Sequence, residues 1–305
     1  MIVAVTGATG FVGRHLIEAL AGRAGVSIRA LVRRPAAEIE ALGAAVVRGG
    51  LDDAGALARL AQGADAVIHC AGVVAAPRAA DFRAANVDGT AAMLRAADTG
   101  TRFVQVSSLA AREPLLSAYA ASKRRAEELV AASGRHGAVV VRPPAVYGPG
   151  DRATLPIFQQ LHRGLLLAPA ARAARFSLIF VADLARLLAD LALGAFAAAT
   201  PIEPEDGRGG YGWADLAAIA SRVSGRRIRT LYLPPALLWP AALAAEGWGR
   251  AVGRTPPLSR DKLRELAHAD WVCRAAPAGL DWRPATDFAQ GYAATAAWYA
   301  RAGWL

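Results

Sequence analysis

Tyr119 and Lys123 stand four residues apart in the stretch Tyr-Ala-Ala-Ser-Lys. If that stretch opens a helix, positions i and i+4 share one face and the phenol neighbours the ammonium. The pairing has a chemical use. A free tyrosine with a pKa of ~10 is a poor base at neutral pH, and lowering it by about three units takes about 4 kcal/mol. An ammonium about 4 Å away supplies about 4 kcal/mol at an effective dielectric of about 20. Such a tyrosine can pass a proton to or from a substrate oxygen. Ser107 and Ser108 precede it, and either hydroxyl could hold that oxygen. Alone, the Tyr-Lys pair equally describes a solvated pair on a helix surface. The surrounding elements give it weight.

The amino terminus carries the strongest of them. Residues 1–5 are a short apolar, β-branched run, the composition of a buried strand. Gly7, Gly10 and Gly13 follow, and then an amphipathic run from Arg14 to Ala21. A strand, a glycine turn and a helix in this order bring backbone N–H groups and a positive helix end to one point, where a pyrophosphate can sit. Gly7 suits the tight turn, Gly10 the approach of the phosphates, and Gly13 close helix–strand packing. Thr9, Phe11 and Val12 complete the same cradle.

Val26 to Val32 reads as a second strand after Gly22 and Gly25. About twenty residues past the glycine turn of a dinucleotide fold, a side chain faces the adenosine ribose. Here that position is Arg33, with Arg34 beside it and no carboxylate before Glu38. Arginine suits a 2′-phosphate, so NADP is favoured, with NAD as the alternative. Asp52, after a third strand at Val46-Val47, could accept from an adenine amino group or cap the next helix.

Ala66 to Cys70 is a fourth strand, and the small Ala71 and Gly72 beyond it allow close approach to a cofactor. His69 and Cys70 read as structural, the thiol as a small buried hydrophobe. Asn86 could cap a helix running to about Ala97 or brace the active site from it. Phe103 to Val106 is a fifth buried strand, which puts Ser107-Ser108 at its carboxyl end, where open α/β sheets bind ligands. After a sixth strand at 138–141, Arg142 to Gly150 is a proline- and glycine-rich loop that places Pro143 under the nicotinamide.

Length and composition bound the rest. The chain has 305 residues, 54% hydrophobic and 20% charged, which is globular. Two cysteines make no disulfide framework and no leader pattern opens the chain, so a cytoplasmic protein is expected. The net charge of +10 comes from scattered arginines without aromatic interleaving, which argues against nucleic acid. No metal site is expected.

Residues 151–175 read as a helix and loop, Arg175 to Val181 as a strand, and Asp183 to Leu193 as a helix. Thr200 to Gly212 is a connector. Helix Trp213–Val223 and strand Ile228–Leu233 follow it. Leu233 to Val252 is apolar but contains Pro240, Glu246 and Arg250, so no integral membrane segment is expected. It could lid an apolar substrate, the plainer reading, or lie on a bilayer surface. The fold expected is α/β: a doubly wound parallel sheet of Rossmann type with a smaller, discontinuous C-terminal substrate domain. The dinucleotide domain spans 1–150, with 176–199 returning to it. The substrate domain takes 151–175 and 200–305.

These stretches together resemble the extended short-chain dehydrogenase/reductases, the NAD-dependent epimerase/dehydratase family. The matching runs are Thr6–Gly13, His69–Gly72, Asn86, Val106–Ser108, Tyr119–Lys123, Arg142–Gly150 and Phe180–Ala185. The resemblance implies Tyr119 as catalytic acid/base, Lys123 as its partner and ribose ligand, and Ser108 as ligand of the substrate oxygen. It also implies a homodimer through the helices beginning near Asn86 and Tyr119. Ala145 stands where sugar-nucleotide members often carry asparagine, which weakens that substrate class. The activity expected is hydride transfer between NADP(H) and a carbon–oxygen centre of a small organic molecule, of ketone/alcohol reductase type. The alternatives are a nucleotide-sugar epimerase or dehydratase with tightly held NAD, and a non-catalytic nucleotide-binding subunit.

Overall fold

Six short segments, β1 (Ile2–Thr6), β2 (Ser27–Val32), β3 (Ala45–Arg48), β4 (Ala66–His69), β5 (Arg102–Val106) and β6 (Ala138–Val141), form one sheet in the order β3-β2-β1-β4-β5-β6. Every pairing is parallel. The computed structural model describes residues 1–194, 201–252, 259–275 and 281–305. β4 is buried along its whole length and β1 along all but its first residue, as their apolar composition requires. The order reverses between β1 and β4, the switch point beside which doubly wound sheets bind nucleotides.

The helices bury one stripe each. Helix Phe11–Ala21 buries Gly13, Leu16, Ile17 and Leu20, and helix Ala54–Ala61 buries Ala56, Leu57, Leu60 and Ala61. Helix Ala118–Ala132 is different: Lys123 and Glu127 are on its buried side with Ala120, Ala126 and Val130. One core cluster joins Leu31, Leu57, Leu60, Val67, Met93 and Phe103.

The chain divides into two compact units. The first comprises Met1–Pro143, Leu184–Glu203 and Ala275–Trp282, and contains the whole sheet. The second comprises Pro144–Asp183, Pro204–Arg274 and Arg283–Leu305. In it, β7 (Ala145–Tyr147), β8 (Leu165–Ala168), β9 (Arg175–Phe176), β10 (Leu178–Phe180), β11 (Arg229–Tyr232) and β12 (Asp270–Trp271) form three parallel pairs, β7 with β10, β8 with β11 and β9 with β12. Its core is aromatic, with Tyr147, Phe158, Tyr211, Trp213, Phe288, Tyr292 and Tyr299 packed together.

Three local expectations change. Residues 151–175 hold helix Leu155–His162 and also β8, whose four residues are too few to show alternation without their partner. The strand expected over 175–181 divides into β9 and β10, and Val181 already opens helix Val181–Leu193. The helix carrying Asn86 starts at Ala79 and runs through Ala79–Phe82, a wide π-type stretch over Arg83–Asp88 and the α-helical Gly89–Ala96.

Candidate functional site

The glycine turn has the shape of a phosphate cradle. Gly7 adopts φ +74°, and a Cβ there would sit 2.7 Å from the Ala71 nitrogen. A Cβ at Gly13 would lie 2.0 Å from the Gly7 carbonyl oxygen, so turn and helix meet backbone to backbone. Gly10 is the N-cap of helix Phe11–Ala21, with no capping side chain and no acid in the first turn. Thr9 and Gly10 are exposed and Phe11 and Val12 half-buried. The helix therefore presents its N-terminal N–H groups and positive end without an anion of its own, the arrangement a pyrophosphate fits.

Behind this turn the β1 and β4 ends are tied together. The Thr6 hydroxyl shares a hydrogen bond with His69 Nδ1 at 2.8 Å and accepts the Ala71 N–H at 3.2 Å. His69 is fully buried, and burial together with the Lys123 ammonium lowers its pKa to about 3. It is a neutral structural ring. Burial raises the Cys70 thiol to about 11, so no thiolate nucleophile forms there.

Asn86 is a brace. Its Oδ1 accepts the Val73 N–H at 2.8 Å, and its Nδ2 donates to the Val73 carbonyl at 3.1 Å and to Ser122 Oγ at 2.9 Å. Ser122 Oγ in turn donates to the Tyr119 carbonyl at 2.7 Å. The loop after β4 and the helix of Tyr119 are thus held in one register. A Cβ at Gly72 would fall 2.7 Å from Asn86 Oδ1 and 3.4 Å from Lys123 Nζ, so glycine leaves room beside the ammonium.

Lys123 is buried and donates to the Val106 carbonyl at 2.9 Å. Burial lowers its pKa, opposed by Cys70 and Glu127. Tyr119, half-buried, packs its ring at a tilt on Phe82 with centroids 6.0 Å apart. Helix Ala118–Ala132 starts on Ser117, whose hydroxyl accepts the Ala120 N–H at 2.9 Å. That cap starts the helix one residue before Tyr119, so Tyr119 and Lys123 are one turn apart on one face.

The two serines separate. Ser107 is buried and its hydroxyl donates to Glu127 Oε1 at 2.5 Å. Ser108 is half-buried, and its hydroxyl accepts the Ala110 N–H at 3.2 Å. Glu127 also accepts two bonds from Arg142, at 2.8 and 2.6 Å. Glu203 faces Arg142 and Arg112, each at 3.6 Å. Residues of this buried cluster other than Ser107 and Arg142 were not singled out in the sequence. The available signal was Glu127 itself, an acid one turn past Lys123 on the helix's inner face.

The remaining candidates divide by exposure. Arg33 and Arg34 follow β2 directly and are exposed, as is Asp52. Asp52 does not cap the next helix: Asp53 does, its carboxylate accepting the Ala56 N–H at 2.9 Å. Asp52 Oδ1 instead lies over Gly50, 2.3 Å from where a Cβ there would be. Pro143 is buried, and its carbonyl accepts the Leu109 N–H at 2.9 Å, fixing the loop beyond β6. Among the described residues no group of three or more His, Cys, Asp or Glu is placed to hold a metal ion.

A parallel sheet reversing its order beside an uncapped glycine turn is the framework of dinucleotide-dependent enzymes. The chain belongs to the NAD dependent epimerase/dehydratase family, whose model matches residues 3–199. It is an NAD(P)-dependent enzyme of the extended short-chain dehydrogenase type. It is 40% identical to the ceramide reductase of Caulobacter vibrioides, over 100% of this chain and 96% of that protein. A 4-hydroxy-2-methyl-3-oxo-4-farnesyl-3,4-dihydroquinoline-1-oxide ketoreductase of Stigmatella aurantiaca is 38% identical over 50% of this chain and 52% of its own. The crystal structure of gox2253 superposes with a TM-score of 0.77 at 25% identity, covering 100% of this chain and 99% of that one. No described helix is long and apolar enough to cross a membrane.

Proposed function

We propose that the chain reduces a ketone on a long-chain lipid to a secondary alcohol, with NADPH as the reductant. The observation that carries this reading is the 40% identity to a ceramide reductase along the entire chain. The second relative acts on a ring that carries a farnesyl group, a long apolar substituent of another kind.

The bound nicotinamide supplies the hydride. The chain's own residues do the rest. The turn at Gly7, Gly10 and Gly13 holds the pyrophosphate against the start of helix Phe11–Ala21, and Arg33 and Arg34 meet the 2′-phosphate. Ser108 orients the ketone oxygen by donating its hydroxyl proton to it, because the Ser107 hydroxyl is already spent on Glu127. Tyr119 gives that oxygen its proton as negative charge develops there. Lys123 keeps the phenolate accessible by Coulomb attraction and holds the ribose with its remaining donors. Asn86 and Ser122 keep that helix in register with Gly72. The second unit, 144–183, 204–274 and 283–305, carries the substrate-binding surface in this reading.

The test is NADPH oxidation with the ketone form of a ceramide in mixed micelles, against a short water-soluble ketone, with conversion of a UDP-sugar in the presence of NAD followed separately by product analysis. Turnover confined to the lipid ketone supports the proposal. Turnover of the UDP-sugar, or of neither lipid nor short ketone, overturns it.

A further inference from the structure

Helix Pro235–Val252 turns its apolar side outward. Leu237, Leu243 and Trp248 are 69%, 56% and 59% exposed. Ala236, Pro240, Ala241, Ala244 and Gly247 are exposed between them, so residues 237, 240, 241, 244 and 248 make one apolar stripe at helical spacing. The inner side carries Leu238, Trp239 and Ala245, all partly buried, and one acid. Ala242 is fully buried there, and Glu246 accepts the Arg260 N–H at 2.6 Å and pairs with its guanidinium at 3.0 Å. β11, the strand that feeds this helix, also exposes Leu231, paired with the exposed Leu167 of β8. A surface helix normally presents a polar side to water, and an outward apolar stripe with a tryptophan marks an interaction face.

The charge around it selects the partner. Residues 226–267 carry eight Arg or Lys against three Asp or Glu. Each of those acids pairs with a cation of the same segment: Glu246 with Arg260, Asp261 with Arg264 and Glu265 with Lys262. The surplus is positive, and Arg226, Arg227 and Arg229 are exposed just before the helix. A second copy of this chain would bring two such positive rims together, whereas an anionic lipid surface would complement both the stripe and its rim.

We infer that helix Pro235–Val252 lies in the plane of an anionic membrane surface, with Leu237, Leu243 and Trp248 in the boundary between head groups and acyl chains. The inference stands on the helix and its surroundings and does not depend on the identity of the substrate. It makes the protein peripheral: it lies on the bilayer and draws on two signals, apolar insertion and basic attraction, that together hold a helix at an interface.

The experiment is co-sedimentation of the full chain with vesicles of phosphatidylcholine alone or of phosphatidylcholine with phosphatidylglycerol. Binding to the mixed vesicles, weaker on neutral ones and reduced by salt, is expected. Leu237→Ser with Trp248→Ser should lower the partition coefficient at least about tenfold while leaving the circular dichroism and melting temperature unchanged, because both side chains are exposed. Absence of binding by the parent protein, or equal partition of the double variant, overturns the inference. So does loss of self-association in the double variant, read by light scattering, without loss of vesicle binding, since the face would then join two copies.

Discussion

The Ser107 hydroxyl donates to Glu127 Oε1 at 2.5 Å, and the same carboxylate takes two bonds from Arg142. The carboxylate thus joins the end of β5 to the loop after β6. Adjacent serines that look equivalent in the chain have different duties: the first is anchored inside the protein and the second remains half-buried.

Removing that carboxylate leaves a buried guanidinium short of its partner. Glu127→Ala should cost about 3–5 kcal/mol of stability, and Ser107→Ala about 1.5–3 kcal/mol, measured by urea denaturation. A loss under about 1 kcal/mol for Glu127→Ala would show that Glu203 suffices for Arg142.

Tyr119→Phe keeps the ring on Phe82 and removes only the hydroxyl group. Expected is a fall in kcat of about 100- to 10,000-fold, with NADPH affinity unchanged by fluorescence titration. Wild-type turnover in this variant would remove the proposed acid.

Exposed Arg33 follows β2 directly, and the proposed function gives it the 2′-phosphate. Arg33→Ala should raise the KM for NADPH roughly 10- to 100-fold while changing that for NADH by no more than about threefold, the worth of one hydrogen bond to a charged group. Equal changes for both cofactors would refute the phosphate contact.

Gly13→Ala places a methyl 2.0 Å from the Gly7 carbonyl, where backbone meets backbone. The variant should lose at least about 2 kcal/mol of stability and its NADPH binding together. Normal thermal stability and cofactor affinity would mean that the turn can open without cost.

His69 gives the acid limb of stability a specific contributor. Its folded pKa of about 3 lies below the unfolded value of 6.5, so the unfolded chain takes up the proton first as pH falls. The stabilising contribution is complete above the unfolded value and is lost on acidification toward the folded one, with a slope of up to about 1.4 kcal/mol per pH unit. His69→Gln should flatten the fall between pH 6.5 and 3 in denaturation midpoints, relative to the parent. An unchanged pH profile would place the acid sensitivity elsewhere.

Much of the first unit was legible in advance because its signals are local. Gly7, Gly10 and Gly13 between a β-branched run and an amphipathic run specify a turn whatever the rest of the chain does. The one-residue shift from Asp52 to Asp53 shows the limit: both carboxylates precede the helix, and only the backbone path decides which one reaches the Ala56 N–H. The second unit was harder to read. β8 and β11 are four residues each and lie some sixty positions apart, so neither carries a pattern that names its partner.

By itself the sequence determined the class of enzyme: a glycine turn at the first strand end, serines at the fifth, and Tyr119 and Lys123 one helical turn apart. Periodicity and turn chemistry act between residues within a few positions of each other, and those relations survive without coordinates. Tertiary structure alone decided that Ser107 binds Glu127, that Asn86 ties Gly72's loop to Ser122, and that helix Pro235–Val252 faces its leucines and tryptophan outward. Those outcomes depend on which distant segments share a burial site, and the strength of a charge or the cost of an apolar surface follows from what else is packed beside it.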